Sequence, residues 1–167
     1  MTIAAFDHLD HESKKELLSQ CCGSSRWVEE MLKMPPVEDL IDLFEDAEEK
    51  WYECREQDWK EAFAHHPRIG DIDALRKKFS SDKFAGDEQS SLNNASEQTL
   101  KSLAKANKSY EEKFGYLFIV CATGKSADEM LALLNDRLKN DPEEELKIAM
   151  DEQNKITKLR LEKLFES

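Results

Sequence analysis

Leu40, Leu43, Phe44, Ala47 and Trp51 recur at steps of three and four through "PPVEDLIDLFEDAEEKWYEC". That interval lays one apolar stripe along a helix and none along a strand. It returns in "HESKKELLSQCC", in "QDWKEAFAHH" through Trp59, Ala62 and Phe63, and in "SEQTLKSLAKANKSYEEKFG" through Leu100, Leu103, Ala104 and Tyr110. A chain built of such segments can bury its stripes only by packing helix on helix. Five Gly and four Pro in 167 residues, with 40% hydrophobic and 36% charged side chains, fit long solvated helices better than a turn-rich β protein. The expected fold is all-α, a single-domain compact bundle of about seven to nine helices over residues 1–167.

Punctuation between the stripes supports this reading. Gly23 breaks the first segment, and "SSRWVEEMLKM" restarts with a Ser cap. Pro35 and Pro36 are expected at the start of the next helix. "DIDALRKKF" reads as a short helix, and "SSDKFAGDEQSSLNNAS" as a loop leading into the long helix that ends near Gly115. "KSADEMLALLNDRLKN" opens with a Ser-x-x-Glu capping box from Ser126 to Glu129. The final helix opens with Asp141, Pro142 and three glutamates suited to the positive end of its dipole. "YLFIVCA" carries no charge, but no partner strand appears elsewhere, so it is expected to be a buried irregular or helical segment.

Charge and cysteine usage narrow the function classes. With 36 acidic against 24 basic residues the net charge is -12, which repels phosphate backbones and anionic membrane surfaces. Nucleic acid and membrane are therefore not expected partners. Residues 1–20 have neither the basic start nor the apolar run of a secretory signal, no stretch is long enough for a membrane span, and "LFES" is not a Ser-Lys-Leu type address. A cytoplasmic setting is expected. Cys21, Cys22, Cys54 and Cys121 show no C-x-x-C spacing, so reduced, mostly buried thiols are expected.

Two places could carry chemistry. In "AHHPRIGD", neighbouring residues on a helix point about 100° apart, so His65 and His66 cannot share one target unless the backbone changes. Pro67 supplies the change by biasing His66 out of helical angles. His66 then either works as a general acid or base at a helix exit or simply binds a last-turn carbonyl, and spacing leaves both readings open. In the loop before the long helix, Glu88 either caps a helix or pairs with His66 as a second acid–base group. His8 and His11 stand three apart without the spacing of a zinc site, so no metal is expected. Cys121 has no obvious base nearby. Arg160, one turn past Ile156 and two past Gln153, either faces solvent or leans inward toward an anion.

Six stretches occur in an order that resembles the OHCU decarboxylase family, which acts on 2-oxo-4-hydroxy-4-carboxy-5-ureidoimidazoline in urate breakdown. They are "CCGSSRWVEEML", "DWKEAFAHHPRIGD", the Glu88–Gln89 pair, "YEEKFGYLFIVCATGKS", "LLNDRLKNDPEEE" and "NKITKLRLEKL". The resemblance covers nearly the whole chain. It implies an all-helical homodimer that needs neither metal nor organic cofactor and yields (S)-allantoin. It also implies that His66 and Glu88 are catalytic, that Gln89 binds substrate, and that the backbone around Phe118 and Ile119 lines the pocket. Pro67 and Arg160 complete the candidate substrate-binding set.

The family often carries Trp-Ser shortly before its Glu-Gln pair, whereas "KFAGDEQ" offers Phe84 and Ala85, so the hydroxyl contact is either missing or supplied elsewhere, as by Ser90 or Ser91. A second alignment makes Glu97 and Gln98 the active pair; the distance from His66 favours Glu88. The rival readings are a decarboxylase or hydrolase of a related ureido compound, and a non-enzymatic helical binding module.

Overall fold

The computed structural model describes residues 1–67 and 97–166. Among them eight helices form and no strand: α1 (Ile3–Asp7), α2 (His11–Cys21), α3 (Ser25–Leu32), α4 (Leu40–Glu53), α5 (Glu56–Ala64), α6 (Glu97–Phe114), α7 (Ala127–Leu138) and α8 (Pro142–Leu164). The all-α expectation holds. The expected short helix over "DIDALRKKF" and loop over "SSDKFAGDEQSSLNNAS" lie outside the described residues.

The chain divides into two units, residues 1–66 with 150–167, and residues 67–149. In the first, α3 packs against α2, α4 and α5. Its three tryptophans are oriented by their indole N–H groups, each of which donates 2.9 Å to a main-chain carbonyl: Trp27 to Ala47, Trp51 to Met150 and Trp59 to Trp51. A buried indole without such an acceptor would lose part of what its burial contributes. Trp51 also meets Phe63 of α5 edge-on, with ring centroids 6.4 Å apart. Glu61 ties α5 to the start of α3, since its carboxylate accepts from the Ser25 amide at 2.7 Å and the Ser25 hydroxyl at 2.8 Å. α5 is thereby held at several points just before its last turn.

In the second unit α6 packs on α7. The inward stripe of α6 is Leu100, Leu103, Ala106, Tyr110 and Phe114, so Ala106 is buried where Ala104 was expected. A step of three from Leu103 before the steps of four keeps the stripe aligned with α7. Gly115, at φ +82°, ends α6 in the left-handed region that favours glycine. Residues 117–122 then run without regular structure, as expected for "YLFIVCA".

Two details depart from the sequence reading. Pro35 and Pro36 do not start α4; its cap is Asp39, whose carboxylate accepts from the Asp42 amide at 2.9 Å. A carboxylate satisfies an orphan amide, which proline cannot do, so the helix starts after the prolines. Gly23 is needed for space and not for a positive φ. A Cβ built there would lie 2.5 Å from His65 Cβ and closer still to its Cγ.

This contact joins the α2–α3 turn to the end of α5. Gly23→Ala must push His65 away, and overpacking of this kind costs about 1–3 kcal/mol. We expect a melting point lower by several degrees. Turnover should fall too, because His66 shares the displaced turn. An unchanged melting point would show that the turn gives way freely.

Candidate active site

The last turn of α5 sets the geometry. The His65 and His66 amides both close turns, donating to Ala62 at 3.2 Å and Phe63 at 3.3 Å. His65 is the helical C-cap at φ -76°, ψ -13°, and it is exposed. His66 is half-buried, and its Nε2 lies 2.5 Å from Oε1 of Gln153, a fully buried side chain on α8. Gln153 in turn donates through Nε2 to the Thr157 hydroxyl at 3.1 Å. The two adjacent histidines therefore part company: one ends the helix, and the other is fixed against a buried amide.

Gln153, Thr157 and Arg160 follow one another at intervals of four and three along one side of α8. Arg160 is half-buried, and its Nη1 donates to the Gln20 and Cys21 carbonyls, both at 3.4 Å. These are the last carbonyls of α2, where a cation complements the helix dipole. The guanidinium thus leans inward, one of the two orientations its spacing allowed.

Phe118 and Ile119 belong to the second unit, in the segment after α6. Ile119 is buried and Phe118 half-buried. A buried polar cluster holds them. Arg137 donates through Nη1 to the Ile119 carbonyl at 2.6 Å, and its guanidinium lies over the Phe118 ring, 4.5 Å from the centroid. The other edge of Arg137 grips Glu145 Oε2, from Nε at 2.8 Å and Nη2 at 2.6 Å. Tyr110 donates a short hydrogen bond to the same oxygen, and Asn140 reaches Oε1 at 3.1 Å. Burial, then the bond to Glu145, pushes the Tyr110 hydroxyl far above its ordinary pKa, against the pull of Arg137. It remains a donor at any working pH.

Pro67 is exposed directly after His66. Glu88 and Gln89 lie outside the described residues, as do Phe84, Ala85, Ser90 and Ser91. Glu97 and Gln98, the alternative pair, are exposed at the first turn of α6. Sequence reasoning missed Gln153 as the partner of His66, and Arg137 with Glu145 as the anchor of the 118–119 segment. The available signal was position. Gln153 falls on the stripe with Thr157, and Arg137 sits eight residues before Glu145, across the α7–α8 connection.

The cysteines form no disulfide. Burial pushes the thiols of Cys21 and Cys54 up to about 11 and that of Cys22 up to about 12, so none of the three is a thiolate near neutrality. Among the described residues no three His, Cys, Asp or Glu side chains gather as metal ligands, and no helix is long and apolar enough to cross a membrane.

A histidine held at a helix end by a buried amide has the setting in which an imidazole can serve as a side-chain acid–base group. The chain belongs to the OHCU decarboxylase family, whose model matches residues 7–162. It is 37% identical over 148 residues to the uric acid degradation bifunctional protein TTL of Arabidopsis thaliana, covering 87% of this chain and 45% of that protein. It is 29% identical over 101 residues to the 2-oxo-4-hydroxy-4-carboxy-5-ureidoimidazoline decarboxylase of Amia calva, covering 60% of this chain and 58% of the other. The chain thus spans about half the length of these curated relatives. A crystal structure of an OHCU decarboxylase in the presence of (S)-allantoin matches with a TM-score of 0.73 at 34% identity, over 92% of this chain and 99% of that one.

Proposed function

We propose that this chain decarboxylates 2-oxo-4-hydroxy-4-carboxy-5-ureidoimidazoline to (S)-allantoin in urate degradation, acting over residues 1–167 as one catalytic domain of a cytoplasmic homodimer. Family membership and the 34% identity to the enzyme crystallised with (S)-allantoin support the substrate. The observation that carries the chemistry is the pairing of His66 with Gln153 at the end of α5.

In this reading the substrate is its own electron sink. The bond from the hydroxylated ring carbon to its carboxylate breaks and CO2 leaves. The electron pair forms a double bond to the adjacent carbon as the C=N π pair moves onto the ring nitrogen, which takes a proton from solvent, giving an enol. His66 engages the hydroxyl or carboxylate, the enol hydroxyl gives up its proton to become the ring carbonyl, and the neighbouring carbon takes a proton from the acid–base pair His66 and Glu88. Apolar walls at Phe118 and Ile119, with Pro67, Gln89 and Arg160 as anchors, hold the ring so that this proton arrives on one face. Uncatalysed decay in water has no such bias.

Circular dichroism during urate oxidation tests the proposal. Freshly generated substrate given to the purified protein should yield the (S)-allantoin signal well ahead of the buffer blank. A folded protein that produces no acceleration and no enantiomeric excess would sink it.

A further inference from the structure

His66 is tied to a buried relay through Gln153 and Thr157. Gln153 is fully buried and Thr157 nearly so. Donor and acceptor roles can be assigned along the relay. The Thr157 hydroxyl oxygen accepts from Gln153 Nε2 at 3.1 Å. The Gln153 Nε2 then faces Thr157 and its Oε1 faces His66. A carboxamide oxygen only accepts, so the 2.5 Å contact needs a proton on His66 Nε2.

We propose that Gln153 is a positioning residue that holds His66 in the Nε2–H tautomer and makes Nδ1 the ring nitrogen that gains and loses the working proton. The role rests on the acid–base function proposed for His66; the tautomer does not. Histidines that work as acids or bases are commonly oriented by a partner on their other nitrogen, usually a carboxylate or carbonyl. A carboxamide does the same without placing a second charge in the interior, where an unpaired carboxylate would be costly. Gln153 also keeps His66 from turning about its own axis, because the amide is itself fixed by Thr157 one turn along α8.

Nitrogen-15 NMR of the full chain, with histidine rings labelled and His66 assigned by loss of its signals in His66→Asn, reads the tautomer directly. Wild type should show a protonated Nε2 and an unprotonated Nδ1 in the neutral ring. Gln153→Met removes the acceptor and should mix the tautomers, with kcat lower by about 100-fold and KM changed by less than about threefold. Gln153→Glu keeps an acceptor for His66 Nε2, with the Thr157 hydroxyl turning to donate to the other carboxylate oxygen, so it should retain the Nε2–H form and recover kcat to within about tenfold. An Nδ1–H tautomer in wild type overturns the inference even if turnover is normal. So does a Gln153→Met protein with unchanged tautomer and kcat. A wild-type chain that shows Nε2–H but leaves the substrate untouched sinks the decarboxylase reading, and the role of Gln153 with it.

Discussion

His66→Ala is expected to lower kcat by about 10²–10⁴-fold, the range that a positioned general acid or base contributes. The far-UV spectrum should stay that of the wild type. The fold tolerates the change because His66 stands at the end of α5, half-buried, and its amide still closes the turn to Phe63. Removing its ring strands the acceptor on Gln153, which costs about 1–3 kcal/mol. A melting point lower by several degrees should therefore accompany the loss of activity. His65→Ala gives the contrast. That ring is exposed and packs on Gly23, so its removal should leave kcat within about threefold of wild type. Steady-state assays of the two variants on freshly generated substrate decide the matter, and equal losses at both positions would mean that the turn is merely structural.

The helix exit that separates the two histidines could be read from sequence because proline acts locally. Pro67 biases His66 out of helical angles through its own ring, and the apolar intervals through Trp51, Phe63 and Tyr110 likewise need only the chain itself. What could not be read are interactions between elements distant in sequence. Gln153 lies in "MDEQNKITK", a stretch that resembles any solvated helix, and only the position of α5 makes it a partner for a residue 87 positions earlier. Glu145 shows this failure more sharply. It is one of three glutamates in the first turn of α8, where acids favour the dipole, yet Glu143 and Glu144 are exposed while Glu145 is completely buried. Local propensity explains all three equally well and cannot tell which one faces inward. Gly23 fails for a related reason. Its need is set by the His65 ring, which the sequence does not place beside it.

That inward glutamate makes Arg137 the residue whose loss should most harm the fold. Arg137→Met leaves Glu145 with hydrogen bonds from Tyr110 and Asn140 but without its cation, in a site that water does not reach. Breaking a buried pair from one side costs about 3–5 kcal/mol, because the remaining charge stays desolvated. For a chain of this length each kcal/mol lowers the melting point by about 2–4 °C. A drop on the order of 10 °C is expected. Glu145→Leu alone should be comparably harmful, since it strands the guanidinium. The double variant Arg137→Met with Glu145→Leu removes both charges and should recover much of the loss, for apolar replacement of a whole buried pair is often neutral. Thermal unfolding of the four proteins gives the coupling energy directly. Additive losses would show that the pair is wetter than its burial implies. The double variant should not recover full activity, because it also removes the donor to the Ile119 carbonyl and the cation over Phe118. Restored stability with an impaired KM would separate the two duties of Arg137, which are to neutralise Glu145 and to hold the 118–119 segment, the wall of the proposed substrate site.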